Sequence, residues 1–358
     1  MPSRLPLIIS LLLLLVVHPR NTGGNFIDDV RRSIWGSNIW LQDDKTQEAP
    51  CPVCLIKIGG SALTDKSVLE KLKTSNLDSF CHQLVTITQN SPSAKFIVVH
   101  GAGSFGHMQA RKFNLSAGGG ADWQEGLRAT HRSVSKLNSL VLEALHRRDL
   151  VSALLVPIFP TVVTRGREEV VFGGPLLDPG QISGLLRRGL VPVLHGDTVL
   201  DDTQNCTIFS GDRILLELAT AFNAPSNVPS AKSGQGSEFR ISSCVFLTDV
   251  AGVFDKPPEQ RNARLIRKIS VGRDGAIKGM EYAGGDRPGT PGGITAIDTA
   301  TRAGVVDVTG GICGKIEAAC KIAALADVPV VIVEIGTMDA LDAMSGRVPE
   351  RCTLIVKE

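Results

Sequence analysis

The chain has 358 residues, of which 43% are hydrophobic and 21% are charged, and its formal net charge is +2. This composition is that of a folded protein long enough for one large domain or two fused domains. No basic run interleaved with aromatic residues occurs, so the sequence lacks the usual electrostatic signature of a nucleic-acid partner. Only 4% of the residues are aromatic, which suits glycine-rich α/β layers built from Val, Ile, Leu and Ala.

The amino-terminal segment differs from the rest of the chain. Arg4 precedes an almost wholly apolar run, residues 7–17. That run resembles the core of a signal peptide and is short for a membrane span, and no clear cleavage site follows it. We expect residues 1–50 to lie outside the fold, as a signal peptide, a membrane anchor or an organelle-targeting leader. Any membrane contact is expected through this segment alone.

From residue 53 onward, strand-like and helical patterns alternate. Apolar runs typical of strands occur at 53–58, 96–100, 154–159, 191–194, 244–248, 328–334 and 352–356. Apolar residues recur every three to four positions within 134–145, 214–222 and 316–324, which is the spacing of a helix with one buried face. The stretches 224–238 and 273–293 are rich in glycine, and we expect loops there. The alternation predicts an α/β protein, a three-layer αβα sandwich with a mostly parallel central sheet.

The most informative stretch follows the second predicted strand. Phe96-Ile-Val-Val-His-Gly-Ala-Gly-Ser-Phe-Gly-His107 leads an apolar strand into a glycine-rich turn that ends on a histidine. Glycines at 101, 103 and 106 allow backbone N–H groups to converge without Cβ clashes. Such a turn favours an anion, most often a phosphate. His107 adds a titratable donor beside that anion.

A second glycine turn follows the first predicted strand. Lys57 lies near the end of that strand, Gly59-Gly60-Ser61 come next, and Lys66 lies shortly beyond them. Ser67 and Glu70 have the S-x-x-E spacing of a capping box, which predicts the start of a helix. Either lysine alone is better explained as an exposed residue, because most lysines are exposed. Together they flank a turn of the size that holds a phosphate.

Four further motifs come where parallel strands are expected to end, at the edge of a sheet where ligands gather. They are His195-Gly196-Asp197, Ser210-Gly211-Asp212, Thr248-Asp249-Val-Ala-Gly252 and Val308-Thr309-Gly310-Gly311-Ile-Cys-Gly-Lys315. Singly, each is explained equally well as a helix cap or a turn. Together they supply backbone donors, cationic lysines and an orienting carboxylate, the set that phosphoryl transfer requires. The sequence motifs of P-loop NTPases and of protein kinases are absent, which indicates another kinase class.

The stretch from residue 53 to residue 358 resembles the amino acid kinase superfamily, and within it the eukaryotic branch of the isopentenyl phosphate kinases. The resemblance rests on Lys57-Ile-Gly-Gly-Ser61, on the histidine-terminated turn and on the four motifs above. His107 is its clearest mark, because relatives that phosphorylate carboxylates generally lack that histidine. The apolar leader and Ile312, where a methionine is common, depart from the family pattern.

This resemblance implies the amino acid kinase fold and the ATP- and Mg2+-dependent phosphorylation of isopentenyl phosphate to isopentenyl diphosphate, in isoprenoid biosynthesis, by a homodimer. It divides the chain into the leader (1–50), an acceptor-phosphate-binding half (51–195) and a nucleotide-binding half (196–358). The residues implied in catalysis are His107, Lys57, Lys66, Asp212 and Lys315. Those implied in acceptor binding are Ala102, Gly106, His107 and Gly211. Those implied in nucleotide binding are Lys57, Gly59, Gly60, Ser61, Gly103, Asp249, Gly310, Gly311 and Lys315, with no protein ligand for a metal.

Two further expectations concern the isoprenoid tail and the location of the protein. The tail of the acceptor needs an apolar pocket, which we expect from the helical stretch after His107, residues 126–140. Secretion would separate the enzyme from cytosolic ATP and expose its eight cysteines to oxidation, so we expect a cytoplasmic protein. Cys51-Pro-Val-Cys54 is a lone C-x-x-C with no second pair to complete a zinc site, and chance is the better explanation of it.

Three alternative functions remain open on the sequence alone. The first is an NAD-dependent oxidoreductase that uses Gly101, Gly103 and Gly106 as a dinucleotide fingerprint and needs an acidic residue about twenty positions on. Asp122 and Glu125 lie near that window, but this reading leaves the other glycine turns unexplained. The second is a non-catalytic nucleotide-binding protein of the same fold, which the complete set of lysines argues against. The third is another small-molecule kinase of the same family.

Overall fold

The computed structural model describes residues 49–167, 169–176, 178–224, 238–284 and 311–358. The predictions about the leader and about Gly310, almost all of the loop predicted at 224–238, and residues 285–293 of the loop predicted at 273–293 lie outside these residues. Residues from Ala49 to Glu358 cluster into one compact unit.

The strands, in chain order, belong to one large and one small sheet. They are β1 (Cys51–Ile58), β2 (Lys95–His100), β3 (Ala153–Leu155), β4 (Val163–Arg165), β5 (Glu169–Phe172), β6 (Val191–His195), β7 (Asp197–Asp201), β8 (Asn205–Phe209), β9 (Phe239–Thr248), β10 (Val253–Phe254), β11 (Leu265–Val271), β12 (Ile277–Tyr282), β13 (Val330–Glu334) and β14 (Thr353–Lys357). The large sheet has the order β10-β11-β14-β13-β9-β1-β2-β6-β3, with β12 paired to β11. Every pair from β3 through to β13 is parallel, whereas β14 runs antiparallel to β13.

The helices cover both faces of the large sheet. They are α1 (Gly60–Leu63), α2 (Thr74–Asn90), α3 (Gly103–Lys112), α4 (Trp123–His146), α5 (Pro179–Arg187), α6 (Gly211–Phe222), α7 (Gly311–Ala326) and α8 (Met338–Met344). Helices α2, α4 and α8 contribute to one buried core, and α5, α6 and α7 contribute to the other. The predicted three-layer αβα sandwich with a mostly parallel sheet is thus confirmed.

Strand β1 shows why this sheet needs two helical layers. Its residues alternate between the faces, as the period of two in a strand requires. Val53 and Leu55 are buried in the core that contains α6 and α7, whereas Ile56 and Ile58 are buried in the core that contains α2 and α4. Lys57 has the same parity as Val53 and Leu55. Its side chain therefore belongs to the α6 and α7 side of the sheet.

The small sheet, β5-β4-β7-β8, was not predicted. Its strands are short and its pairings are mixed, with β4 and β7 parallel and the outer pairs antiparallel. Asp201 ties its two hairpins together, because its carboxylate accepts hydrogen bonds from the Thr164 hydroxyl at 2.7 Å and the Arg167 amide at 2.8 Å. Its strands β7 and β8 carry the chain from the end of β6 to the start of α6.

Three local predictions were wrong. The predicted strand 154–159 is limited to Ala153–Leu155, and the stretch predicted as a loop at 273–293 contains β12. Ser67 and Glu70 do not start a helix, and α2 begins only at Thr74. Glu70 has a φ of 55°, and its carboxylate accepts hydrogen bonds from Ser133 on α4 at 2.7 Å and from Lys136 at 2.5 Å. The carboxylate is therefore engaged by another helix instead of capping its own segment.

Candidate active site

The two glycine turns lie against each other at the carboxyl ends of β1 and β2. These strands are parallel neighbours with Ile58 opposite His100, so the chain leaves both at the same edge of the sheet. A Cβ on Gly60 would lie 2.5 Å from the amide nitrogen of Gly103, and a Cβ on Gly103 would lie 2.6 Å from the Gly60 carbonyl oxygen. Gly103 also has a φ of 50°, which residues with a side chain rarely adopt. Backbone therefore packs on backbone here, and only glycine fits.

Several backbone N–H groups at this edge have no protein acceptor. Within the described part of the chain, the amides of two residues in each of three turns form no hydrogen bond to protein: Gly60 and Ser61, Ala102 and Gly103, Gly211 and Asp212. Of these residues, Gly103 and Gly211 are buried, and buried N–H groups are nearly always paired in folded proteins. Unpaired donors at helix amino termini that follow parallel strands are typical of a site that binds an anion.

Lys57 and Asp212 form a buried ion pair at the centre of this edge. Lys57 Nζ lies 2.7 Å from Asp212 Oδ1, and the side chains are 5% and 24% exposed. Asp212 is in the first turn of α6, whose amino terminus is capped by the Ser210 hydroxyl accepting from the Arg213 amide. The ammonium group also lies 5.3 Å from the centre of the Phe246 ring. These contacts fix the direction of the Lys57 side chain.

Lys315 approaches the same point from α7. A Cβ on Gly59 would lie 4.0 Å from Lys315 Nζ, so the ammonium group lies beside the first glycine turn. Burial and the neighbouring charge of Lys57 lower the pKa of Lys315 to about 8. Asp249 also lies beside the first turn, where its carboxylate accepts a hydrogen bond of 3.5 Å from the Ser61 hydroxyl. Two predicted nucleotide residues from distant parts of the sequence are thus brought to Gly59-Gly60-Ser61.

Lys66 and His107 form the outer, solvent-facing side of the site. Both side chains are exposed. Desolvation by the surrounding protein and the charges of Lys66 and Arg111 lower the pKa of His107 below its ordinary value. This shift favours the neutral form of His107, which keeps one ring N–H as a donor. A bound phosphate would reverse this shift, because an adjacent anion favours the imidazolium form.

Two remaining predicted acceptor residues, Gly106 and Gly211, lie close to neighbouring parts of the chain. A Cβ on Gly106 would lie 2.4 Å from the Ala102 Cβ and 3.0 Å from Val134 on α4, so this glycine permits the close packing of α3 on α4. A Cβ on Gly211 would lie 3.4 Å from Lys57 Cε. Gly311 is the first residue of α7. Gly310 lies outside the described residues.

Sequence reasoning missed two polar contacts behind the acceptor turn. His131 on α4 contacts Asp197 Oδ2 at 2.6 Å, and this bond raises the pKa of His131. Asn138, seven residues further along α4, contacts His100 Nε2 at 3.0 Å. Burial lowers the pKa of His100 to about 4, so that ring is neutral. The helical spacing of His131 and Asn138, which places them on one face, was the available signal.

A third missed residue, Thr64, joins the two glycine turns. Its hydroxyl donates to the Gly60 carbonyl at 2.8 Å and accepts from the Ser104 amide at 2.9 Å. The residue is fully buried. A threonine directly after a glycine turn gives no sequence signal that distinguishes this contact from a helix cap.

The structure does not favour the dinucleotide alternative. Asp122 and Glu125, its acidic candidates, lie at the start of α4 and not at the end of a strand. The lone C-x-x-C offers no site either. Cys51 packs against one core, whereas Cys54 is buried in the other, where burial raises the pKa of its thiol to about 11. Across the described ranges, no three His, Cys, Asp or Glu side chains are placed to hold a metal ion, and no helix is long and apolar enough to cross a membrane.

Comparison with known proteins gives a consistent result. A sequence model of the amino acid kinase family matches residues 52–228 and 236–334. The chain is 32% identical over 330 residues to an isopentenyl phosphate kinase of Arabidopsis thaliana, which covers 82% of this chain and 90% of that protein. It is 30% identical over 225 residues to an isopentenyl phosphate kinase of Methanocaldococcus jannaschii, which covers 60% of this chain and 76% of that protein.

A solved structure supports the fold independently. The crystal structure of a T. acidophilum isopentenyl phosphate kinase product complex superposes with a TM-score of 0.59 at 23% identity, covering 85% of this chain and 99% of that one. The family match spans most of the chain, as does the Arabidopsis relative. The chain therefore belongs to the amino acid kinase family, in the group of the isopentenyl phosphate kinases.

Proposed function

We propose that this protein is a kinase that transfers the γ-phosphoryl group of ATP to isopentenyl phosphate and releases isopentenyl diphosphate and ADP. The observation that carries the proposal is the convergence of Lys57, Lys315 and unpaired backbone N–H groups from three turns at one edge of the sheet. Such a set of fixed cations and donors stabilises the charge of a phosphoryl group in transfer.

The reaction needs little covalent chemistry from the protein. An oxygen of the acceptor phosphate forms a bond to the γ-phosphorus of ATP while the bond from that phosphorus to the β-phosphate oxygen breaks. The acceptor oxygen is already ionised at neutral pH, so no general base is required, and the electron pair of the broken bond leaves on ADP. The task of the protein is to hold two anionic groups in line and to neutralise their repulsion.

Each predicted residue has a role in this proposal. Lys57, Lys66 and Lys315 neutralise the transferring group and the leaving ADP, and Asp212 orients Lys57. Ala102, Gly106, Gly211 and His107 bind the acceptor phosphate. The nucleotide is held by Gly59, Gly60, Ser61, Gly103, Asp249, Gly310 and Gly311. Helix α4, over residues 126–140, borders the pocket for the isoprenoid tail.

Mg2+ enters the proposal with the nucleotide. The two acidic side chains of the site are already engaged, Asp212 by Lys57 and Asp249 by Ser61. This donor set fits an ion held mainly by ATP phosphates and water, which is common for Mg2+. When bound, the ion would neutralise charge on the phosphates.

We also propose a functional division at residue 195, across which the Gly59-Gly60-Ser61 turn and Gly103 reach the nucleotide and Gly211 reaches the acceptor, and we propose a homodimer. Strand β3 lies at one edge of the large sheet, and Leu154 and Leu155 on it are 40% and 43% exposed. An apolar edge strand of this kind favours pairing with another strand. Sedimentation of the purified protein would measure the oligomeric state, and Leu155→Lys should shift a dimer to monomer.

We place the protein in the cytoplasm, where ATP is available and cysteines stay reduced. A fluorescent fusion of residues 1–50, viewed in cells beside the chain that starts near residue 47, tests the role of the leader. Diffuse signal from the leader fusion supports the proposal, and entry into the secretory pathway or a plastid contradicts it.

The deciding experiment for the activity is release of ADP from ATP by the purified full chain, over a panel of acceptors. The panel contains isopentenyl phosphate, dimethylallyl phosphate, other short monophosphates, N-acetylglutamate and carbamate, with isopentenyl diphosphate identified by mass spectrometry. Asp212→Asn serves as the inactive control. Turnover only with a carboxylate or carbamate acceptor would assign the chain to another kinase of the family, and ATP binding without any turnover would indicate a non-catalytic protein.

A further inference from the structure

Thr64 lies where the two glycine turns meet. Its residue is 0% exposed, so its hydroxyl has no access to water. The hydroxyl donates to the Gly60 carbonyl at 2.8 Å and accepts from the Ser104 amide at 2.9 Å. One side chain therefore bonds a backbone group in each turn, although the Gly60 carbonyl also accepts from the Thr64 amide.

The packing around this hydroxyl leaves little freedom. A Cβ on Gly103 would lie 2.0 Å from Thr64 Oγ1 and 2.9 Å from Thr64 Cγ2. The hydroxyl and the methyl group both contact the second turn at the point where its φ is 50°. The threonine thus fixes the second turn by a hydrogen bond and by shape.

The residues on each side of this contact carry different predicted ligands. Gly60 and Ser61 are assigned to the nucleotide, whereas the second turn carries Ala102, Gly106 and His107, assigned to the acceptor phosphate, beside Gly103, assigned to the nucleotide. The separation of the two turns therefore contributes to the distance between donor and acceptor phosphates. In-line transfer is sensitive to that distance, and a displacement of about 1 Å can cost about 100-fold in rate.

We propose that Thr64 is a positioning residue for phosphoryl transfer, whose hydroxyl holds the acceptor turn at a fixed distance and orientation from the nucleotide turn. The proposal deepens the kinase function proposed above and rests on it for its catalytic part. Thr64 touches neither ligand in this account. It acts through the backbone of Gly60 and Ser104.

The test compares Thr64→Val, Thr64→Ser and a matched control. Valine keeps the shape of threonine but removes the hydroxyl, whereas serine keeps the hydroxyl. The control is Thr353→Val. Thr353 is also 0% exposed, and its hydroxyl bridges two backbone groups in the same way, accepting from the Val253 amide at 2.8 Å and donating to the Ile266 carbonyl at 2.6 Å.

Turnover and binding are measured separately. We expect Thr64→Val to lower kcat about 30-fold or more, with the dissociation constants for ATP and isopentenyl phosphate each within about threefold of wild type. Thr64→Ser should stay within about threefold of wild type in kcat, and Thr353→Val should lower the melting temperature without that loss of kcat. Wild-type kcat in Thr64→Val, or an equal loss in Thr353→Val, overturns the proposal.

Hydrogen exchange of the unliganded protein tests the structural part without any substrate. Thr64→Val should speed amide exchange in peptides covering both 58–64 and 100–107, whereas Thr353→Val should leave them unchanged. This measurement does not depend on the kinase assignment. If that assignment is wrong, the wild-type protein shows no turnover, but the exchange result still tests the role of Thr64. Unchanged exchange in both turns refutes the tie, even for a variant too unstable for kinetics.

Discussion

The inner and outer sides of the candidate site are held in different ways. On the inner side, Lys57 is 5% exposed and lies 2.7 Å from Asp212, between the sheet and α6. On the outer side, Lys66 and His107 are exposed. The inner cation is fixed before any ligand binds, whereas the outer groups can adjust to the ligand. Electrostatic preorganisation is therefore concentrated at the inner side, where reorganisation would cost most.

The outer side is nevertheless anchored at some distance from its functional groups. The segment that carries Lys66 has a turn closed by Asp65, which accepts from the Ser67 hydroxyl at 2.6 Å and its amide at 2.9 Å. Glu70 then ties the segment to α4 through Ser133 and Lys136. Helix α4, which we propose to border the pocket for the isoprenoid tail, is thus connected to the segment that carries Lys66. We expect variants of the inner side to lose stability and turnover together, and variants of the outer side to lose turnover alone.

The largest effect is expected from Asp212→Asn. The variant leaves Lys57 buried opposite a neutral amide, and loss of one partner of a buried ion pair costs roughly 3 kcal/mol or more. We expect kcat to fall about 1000-fold, because Lys57 also loses its direction. Steady-state kinetics and urea unfolding measure the two losses. Glu317→Gln is the control, because its 2.7 Å pair with Lys321 is exposed at 66% and 48% and should contribute under about 1 kcal/mol.

His107→Ala should be the next largest. Loss of one donor aimed at developing charge costs roughly 3 kcal/mol, so kcat/KM for isopentenyl phosphate should fall about 100-fold with ATP affinity unchanged. The urea midpoint should not move, since the side chain is exposed. His82→Ala, at an exposed position on α2, is the control. A near-normal kcat/KM would remove His107 from the acceptor site.

Lys66→Ala separates transition-state from ground-state contacts. If its charge meets the phosphoryl group mainly during transfer, kcat should fall about 30-fold while the KM for ATP changes less than about threefold. Stability should match the wild type. A rise in KM alone would make Lys66 a ground-state nucleotide contact.

A pH profile tests the state of Lys315. Its pKa of about 8 in the free protein means that the cation is present below this pH and is lost as pH rises through it. We therefore expect kcat/KM for ATP to fall above pH 8, by about tenfold per pH unit at its steepest, because this parameter reports the free enzyme. Lys315→Arg keeps its charge and should move the decline to higher pH. A decline at the same pH in both proteins would assign it to another group.

The smallest effect is expected from Glu70→Gln, which weakens the tie between the Lys66 segment and α4. The pair with Lys136 is partly exposed, so stability should change by less than about 1 kcal/mol. We expect kcat to fall about threefold with isopentenyl phosphate and less with an acceptor that lacks the tail. Equal losses with both acceptors would separate the tie from tail recognition.

The sequence alone was sufficient for the parts of the fold built on local patterns. The apolar runs of β1, β2, β6, β9, β13 and β14 were predicted, since a buried parallel strand is apolar on both faces. The glycine turns were predicted because close backbone approach leaves glycine as the usual choice. The short strands of the small sheet were missed, because each has only three to five residues and the pairing of β4 with β7, which joins the two hairpins, links segments distant in the sequence.

The false capping box shows the limit of such reasoning. Ser67 and Glu70 have the spacing of a helix start, but Glu70 forms its hydrogen bonds with α4, more than sixty residues away. The tertiary structure overrides local propensity at this position. His131 and Asp197 give the converse case, since neither position indicates its partner without the fold.

The sequence by itself determined the layers, the parallel order of alternating elements and the residue types that phosphoryl transfer needs, because these depend on periodicity and on local backbone chemistry. Only the tertiary structure decided which of these residues meet. Lys57 pairs with Asp212, Lys315 reaches Gly59 and Thr64 joins two turns because parallel strands end at one edge and bring distant segments together. Those contacts depend on packing across the sheet, which no local pattern in the chain specifies.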